Sequence, residues 1–130
     1  MTDDAPGDSP FARIGGQPTV DALVDRFYDE IENNPAAAGL RAIHSADLAE
    51  IRRVLKLYLG QWLGGPAHYS EERGHPRLRA RHLPFAIGTE ERDSWLACMR
   101  TALDATVVDE EARRGIFDAM TRLADFMRNR

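Results

Sequence analysis

The chain has 130 residues, 17 Lys and Arg against 21 Asp and Glu, a formal net charge of −4, an apolar fraction of 43% and one cysteine. This acidic balance excludes a broad nucleic-acid-binding surface, and no apolar run reaches the roughly 18–20 residues of a membrane span, so we expect neither nucleic acid nor membrane as a partner. The lone cysteine excludes an intramolecular disulfide and the N-terminus carries no secretory signal, so we expect a cytoplasmic protein.

The N-terminal residues 1–10, "MTDDAPGDSP", predict a disordered tail, and residues 11–130 are enough for one domain. The following "FARIGG" predicts one helical turn that ends at Gly15 and Gly16.

The first long helix is expected to begin after Pro18, with Thr19 as its N-cap, and to end at Asn33, Asn34 and Pro35. Its apolar residues recur at helical spacing and form one stripe: Val20, Leu23, Val24, Phe27 and Ile31. Residues 36–46 form a connection for which a short helix and a turn are both open.

The second long helix is predicted to begin with a capping box of Asp47 and Glu50 and to end at Gly64 and Gly65. Its expected inward stripe consists of Leu48, Ile51, Leu55, Tyr58, Leu59 and Trp62.

Two more long helices are predicted, one beginning at Thr89 and one at Asp109. Their inward stripes are Trp95, Cys98, Met99, Ala102, Leu103 and Thr106 in the third long helix, and Ala112, Ile116, Met120, Leu123 and Met127 in the fourth. Because no segment alternates with the period of two that strands show, the predicted fold class is all-α.

The stretch "RGHPRLRARHLPF", residues 73–85, contains two of the four histidines. Pro76 suits the first position of a helix and Pro84 disfavours its continuation, so we expect a helix of about two turns. His82 follows Leu78 by four residues and shares its inward side. His75 precedes a proline and is expected to be extended and at the surface.

An inward histidine has two interpretations at this point: it packs in a core and bonds a carbonyl, or it binds a metal. Zinc is disfavoured because it needs three or four protein ligands, and His44, His68 and His75 show no such spacing. Haem asks the protein for a single imidazole, and arginines can bind its propionates. A hydrolase built on "HPRLRARH" is disfavoured because no paired carboxylate or nucleophile accompanies it.

Three stretches, "GGQPTVDALVDRFYDEI", "LGQWLGGPAHYSEERGHPRLRARHLPF" and "ERDSWLACM", occur in an order and spacing that resemble the truncated haemoglobins of group II. The resemblance runs from Phe11 to near the C-terminus. It implies a two-over-two helical sandwich around haem b.

The resemblance further implies that His82 is the proximal iron ligand and that Tyr28 and Trp95 face the distal ligand position. A third distal position falls on His44, or on Ile43 if the alignment gap shifts by one residue, and His44 could donate to a ligand or coordinate iron. Ile51 and Leu55 would make the remaining distal wall apolar. The other expected haem contacts are Leu55, Tyr58, Tyr69, Arg79, Arg81 and Phe85, with the propionate-binding arginine left open.

The function implied is binding of O2, CO or NO, with slow O2 release because two or three donors face the ligand. Peroxidase-like or NO dioxygenase chemistry would use the same donors and an unidentified reductase, and the roles of carrier, sensor and detoxifying enzyme stay open. Some relatives form homodimers. The alternative is a cofactor-free helical interaction module in which His82 is merely packed.

Overall fold

The computed structural model describes residues 9–130, and these residues form helices without any strand, as the all-α prediction requires. The helices are α1 (Pro10–Arg13), α2 (Gln17–Asn33), a 3-10 turn (Pro35–Ala37), α3 (Ala38–Ala42), α4 (Ala49–Trp62), α5 (His68–Arg73), α6 (Leu78–His82), α7 (Thr89–Thr106) and α8 (Glu110–Met127).

The four long helices form two packed pairs, α2 with α4 and α7 with α8, and the pairs meet where α2 packs on α7. The predicted stripe of α2 is buried throughout, and Cys98, Met99, Ala102 and Leu103 of α7 lie against it in the same core. This arrangement is the predicted two-over-two sandwich.

Sulfur side chains of the described residues are confined to this core. Cys98, Met99, Met120 and Met127 are all at most 8% exposed. Burial also raises the pKa of the Cys98 thiol, with a smaller contribution from Glu30 in the same direction.

The start of α2 differs from the prediction. The N-cap is Gly16, whose φ of 74° lies in the left-handed region, and not Thr19. The Gly16 N–H donates to the Phe11 carbonyl at 2.8 Å, which closes the turn after α1 and places the N-cap three residues earlier than predicted.

The capping box predicted for α4 is wrong. Asp47 accepts a hydrogen bond from Ala49 N–H at 2.9 Å, but the N-cap position is Leu48. The Glu50 carboxylate pairs with Arg53 instead of reaching back to the helix start. An arginine three residues ahead thus competes successfully for this carboxylate.

The starts of α7 and α8 agree with the prediction. Glu91 accepts from Gly88 N–H at 2.7 Å ahead of Thr89, and Asp109 accepts from Ala112 N–H at 3.1 Å. Each carboxylate satisfies a backbone donor that the helix leaves unpaired.

The short helices differ most from the prediction. α5 has no counterpart in it, and α6 is a single turn that begins at Leu78 instead of Pro76, because Arg77 has a left-handed φ of 49°. The open connection at residues 36–46 contains the 3-10 turn and α3.

The predicted tail at residues 1–10 lies outside the described residues up to residue 8. Ser9 caps α1 by accepting from Ala12 N–H at 3.1 Å, and Pro10 is the first residue of α1, so these two residues of the predicted tail are part of the first helix. None of the helices in residues 9–130 has the length and apolar character that crossing a bilayer demands.

We expect Gly65→Ala to lower the free energy of unfolding by about 2 kcal/mol, because overpacked sites commonly lose this much. A methyl group at residue 65 would lie 2.7 Å from the Gly60 carbonyl oxygen and 2.8 Å from ring carbons of Phe11. The control is Gly115→Ala on α8, where a methyl group meets nothing within 4 Å and alanine should add about 1 kcal/mol of helix stability. Urea unfolding of both variants measures the two changes, and equal shifts of the same sign would contradict the packing argument.

Candidate functional site

His82, the last residue of α6, is half-buried and tied to its own helix. Its Nδ1 lies 2.6 Å from the Leu78 carbonyl oxygen. Because a carbonyl only accepts, Nδ1 carries the proton of the neutral ring, and Nε2 keeps an available lone pair. The four-residue spacing from Leu78 noted in the sequence therefore fixes both the tautomer and the orientation of the ring.

Tyr28 of α2 is enclosed, with 4% of its surface exposed. Its ring makes edge contacts with Phe27 at 4.9 Å and His44 at 5.9 Å between centroids. Within the described part of the chain, no group forms a hydrogen bond with its hydroxyl. Burial raises the pKa of this hydroxyl, and the nearby Arg52 guanidinium opposes the shift. Tyr28 thus offers a protonated, uncommitted O–H donor.

Trp95 of α7 is half-buried and contacts Phe27, with the two ring centroids 5.2 Å apart. Phe27 therefore touches both Tyr28 and Trp95 and links these two predicted distal residues. No hydrogen bond engages the Trp95 indole N–H among residues 9–130.

His44 lies just after α3, and its Nδ1 is 2.9 Å from the Leu40 carbonyl oxygen. By the same reasoning as for His82, the neutral ring presents a lone pair at Nε2, so neutral His44 is an acceptor or a ligand and only its protonated form donates at Nε2. Ile43, the alternative residue, packs against the core. Of the two, it is His44 whose ring contacts Tyr28.

The predicted contacts on α4 and α5 form a second aromatic group. Tyr58 and Tyr69 meet edge to face with their centroids 5.5 Å apart, and Tyr69 is buried. Burial, and secondarily Tyr69, raise the pKa of Tyr58. Leu55 packs on the core from the same helix.

The remaining predicted contacts lie in and after α6, which packs against α8. Arg79 donates to the Phe126 and Arg128 carbonyls, and Arg81 donates to the Pro76 carbonyl at 2.8 Å. Phe85 is 44% exposed. The structure thus places His82 with α8, while Tyr28, His44 and Trp95 belong to the α2, α3 and α7 side of the core.

Two polar residues that the sequence analysis missed also adjoin the site. Arg52 lies 5.7 Å from the Tyr28 ring centroid and pairs with Asp25 and Asp29 at 3.2 and 2.8 Å. The four-residue spacing of these carboxylates on α2 is a signal that could have indicated a cation there. Asn129 bonds the chain around His82, and no local pattern signals this contact.

Histidine, cysteine and acidic side chains of residues 9–130 nowhere form a group of three or more that could hold a metal ion.

Comparison with known proteins gives consistent matches. The family model described as "Bacterial-like globin" matches residues 9–129. The chain is 42% identical to group 2 truncated hemoglobin YjbI of Bacillus subtilis over 121 residues, which cover 93% of this chain and 89% of that protein.

Solved structures agree with this match. The group II 2-on-2 hemoglobin of Agrobacterium tumefaciens has a TM-score of 0.91 and 45% identity, covering 93% of this chain and 94% of the other. A truncated oxygen-avid haemoglobin from Bacillus subtilis has a TM-score of 0.86 and 42% identity, covering 93% and 99%. This chain therefore belongs to the bacterial-like globin family, within the group II truncated haemoglobins, and is a haem-binding globin.

Proposed function

We propose that this globin would hold haem b through Nε2 of His82, bind O2 and release it slowly. The observation that carries the proposal is the hydroxyl of the largely buried Tyr28, which is protonated and has no hydrogen-bond partner in the described residues. No fully buried side-chain oxygen of the described residues lacks a partner, so the Tyr28 hydroxyl oxygen, which has none, keeps some accessible surface. An accessible O–H donor that no protein group occupies supports a polar ligand that it contacts.

The chemistry of the residues near His82 and on α4 fits haem. His82 offers one imidazole nitrogen, which is the single protein ligand that a globin haem requires. Ile51 of α4 is 37% exposed, and Leu83 next to His82 is 57% exposed, so apolar surface is available for a flat apolar group to cover. Non-covalent haem b is favoured over haem c, since covalent attachment uses a C-x-x-C-H pair and this chain has one cysteine, which is buried.

When bound, haem would supply an iron atom that His82 could hold and that could take up a diatomic ligand. The Tyr28 O–H and the Trp95 N–H would donate hydrogen bonds to that ligand, and Phe27 holds the two rings beside each other. The His44 ring packs edge to face against Tyr28 and would help to hold the tyrosine ring in place. The buried apolar core around Tyr28 keeps competing water away.

Retention of O2 is favoured over a fast-exchanging carrier because two donors act on one ligand. The oxygen-avid relative from Bacillus subtilis supports the same interpretation. Tyr28 and Trp95 could also hold and deliver a proton in peroxidase-like or NO dioxygenase chemistry, which needs a separate reductase. Slow release of O2 is the primary proposal, because the two donors are sufficient for it, whereas the redox chemistry also needs a reductase.

The test is to purify the full chain, supply haem and record absorption spectra of the ferric and ferrous protein and of the ferrous protein under carbon monoxide. We expect an intense Soret band that shifts with oxidation state and with carbon monoxide. Rapid mixing should then give O2 release about 10- to 100-fold slower than from a globin with an apolar pocket, since each hydrogen bond contributes roughly 1 kcal/mol or more. A colourless protein whose stability is unaffected by haem would favour the cofactor-free interaction module, and fast O2 release would refute the retention proposal alone.

A further inference from the structure

The chain around His82 packs against the C-terminal residues of the protein and is hydrogen-bonded to them. We call residues 79–87 the proximal segment; it contains most of α6 and the loop that leads to α7. α6 packs against α8, so the position of the proximal segment depends on α8 and on the three residues after it, 128–130.

Asn129 is the main polar link between these two parts. Its Nδ2 donates to the Phe85 carbonyl at 2.8 Å and to the His82 carbonyl at 3.3 Å. Its Oδ1 accepts from Ile87 N–H at 2.9 Å, and its own N–H donates to the Ile87 carbonyl at 2.9 Å. One residue thus bonds three residues of the proximal segment that are 42 to 47 positions away in the chain.

Arg79 adds a second link in the opposite direction. Its Nη1 donates to the Phe126 and Arg128 carbonyls at 2.8 and 3.2 Å, and its guanidinium lies 5.6 Å from the Phe126 ring centroid. These carbonyls end α8, where helices leave acceptors unpaired and a cation is favoured. Arg79 of the proximal segment therefore supplies hydrogen-bond donors to the carbonyls at the end of α8. Asn129, in turn, supplies donors to carbonyls of the proximal segment.

We propose that Asn129 is a positioning residue for His82: its amide fixes the carbonyls of His82 and Phe85 and thereby the direction in which the imidazole points. This inference rests on the proposed role of His82 as the iron ligand. The His82 ring is already fixed from the N-terminal side by the Leu78 carbonyl. Asn129 fixes the same residue from the C-terminal side, so together the two contacts define the placement of Nε2.

The chemistry of the contact requires an amide. The Asn129 side chain donates two hydrogen bonds, to the His82 and Phe85 carbonyls, and accepts one, from Ile87 N–H. A side chain at this position must therefore offer two donors and one acceptor. Aspartate has the same shape but no donor, and its carboxylate would face the His82 and Phe85 carbonyls. Asn129→Asp therefore breaks the donor contacts with little change in volume.

The experiment compares Asn129→Asp and Asn129→Ala with the parent protein and with Asn33→Ala. Asn33 is a suitable control because it also lies at the end of a long helix and makes one exposed side-chain bond, to the Asp29 carbonyl at 2.9 Å. The measurements are haem transfer to excess apomyoglobin, the iron–histidine stretching band of the ferrous protein by resonance Raman, and urea unfolding of the haem-free chain.

We expect both Asn129 variants to lose haem about 10-fold faster and to show a shifted or broadened iron–histidine band, in line with the effect of contacts that orient a metal ligand. Asn33→Ala should match the parent in both. The inference is overturned if haem transfer stays within twofold of the parent, or if it accelerates while the iron–histidine band is unchanged, since the second result indicates general loosening. If His82→Gly retains haem like the parent, the proposed ligand itself is wrong, which is a separate failure.

Discussion

His82→Gly is expected to accelerate haem loss by roughly 100-fold or more and to remove the absorption features of a histidine ligand. Weakening contacts that merely orient a metal ligand costs 10- to 100-fold in affinity, so loss of the ligand should cost at least the upper value. The glycine leaves a space where the imidazole stood beside the Leu78 carbonyl. Free imidazole at millimolar concentration should therefore enter this space and restore the spectrum and much of the haem retention.

Two comparisons make the result specific. His75→Gly alters the other histidine of the same stretch, which is exposed and accepts from Arg77 N–H at 3.0 Å, and it should leave the spectrum unchanged. Rescue by imidazole separates a missing ligand from a misfolded chain, because a misfolded chain is not restored. Full haem retention in His82→Gly, or loss of the histidine features in His75→Gly, would show that the ligand is assigned wrongly.

The second large effect is expected from Tyr28→Phe, which should increase the rate of O2 release about 10- to 100-fold. The substitution removes one donor and keeps the ring contacts with Phe27 and His44. A hydrogen bond to an acceptor that carries charge contributes roughly 1.5–3 kcal/mol, and each 1.4 kcal/mol corresponds to a factor of ten. Stopped-flow displacement of O2 by carbon monoxide measures the rate.

The same variant supplies an internal control, because carbon monoxide is a much weaker hydrogen-bond acceptor than O2. Its release should change by less than about threefold. Thr101→Val, which removes an exposed hydroxyl of α7 bonded to the Ala97 carbonyl, should change neither rate. Two results would show that the Tyr28 hydroxyl is not the donor that retains O2. One is an O2 release rate in Tyr28→Phe equal to that of the parent, and the other is the same fold-increase in the release rates of O2 and carbon monoxide.

The long helices were predictable because their signals are local and repeated. The α2 stripe from Val20 to Ile31 recurs at helical spacing, and every member is buried. Asp109 is the N-cap of α8 because its carboxylate needs only a backbone N–H three residues ahead. By contrast, α5 buries a single residue, Tyr69, so six residues carry no stripe to detect. The left-handed φ of Arg77, which shortens α6, contradicts the ordinary preference of a non-glycine residue.

The site residues also divide into those with a local sequence signal and those whose contacts are distant in the chain. The spacing of Leu78 and His82 lies within one turn, and the structure shows the hydrogen bond that this spacing permits. The contact between Tyr28 and His44 joins α2 to the loop after α3, and only the family resemblance brought these residues together beforehand. Asn129 had no detectable signal, since all of its side-chain partners lie more than 40 residues earlier and its own neighbours are arginines.

The buried sulfur atoms of the core have a consequence for a haem-binding globin, since haem iron can generate oxidants. Thiols are oxidised mainly as thiolates and where reagents reach them, and methionine thioethers are oxidised where they are accessible. Cys98 is both buried and held in its protonated form, and Met99, Met120 and Met127 share its shielding. The groups in residues 9–130 that oxidants attack most readily are thereby kept out of their reach. Resistance to self-inflicted oxidative damage is built into the same packing that joins α2, α7 and α8.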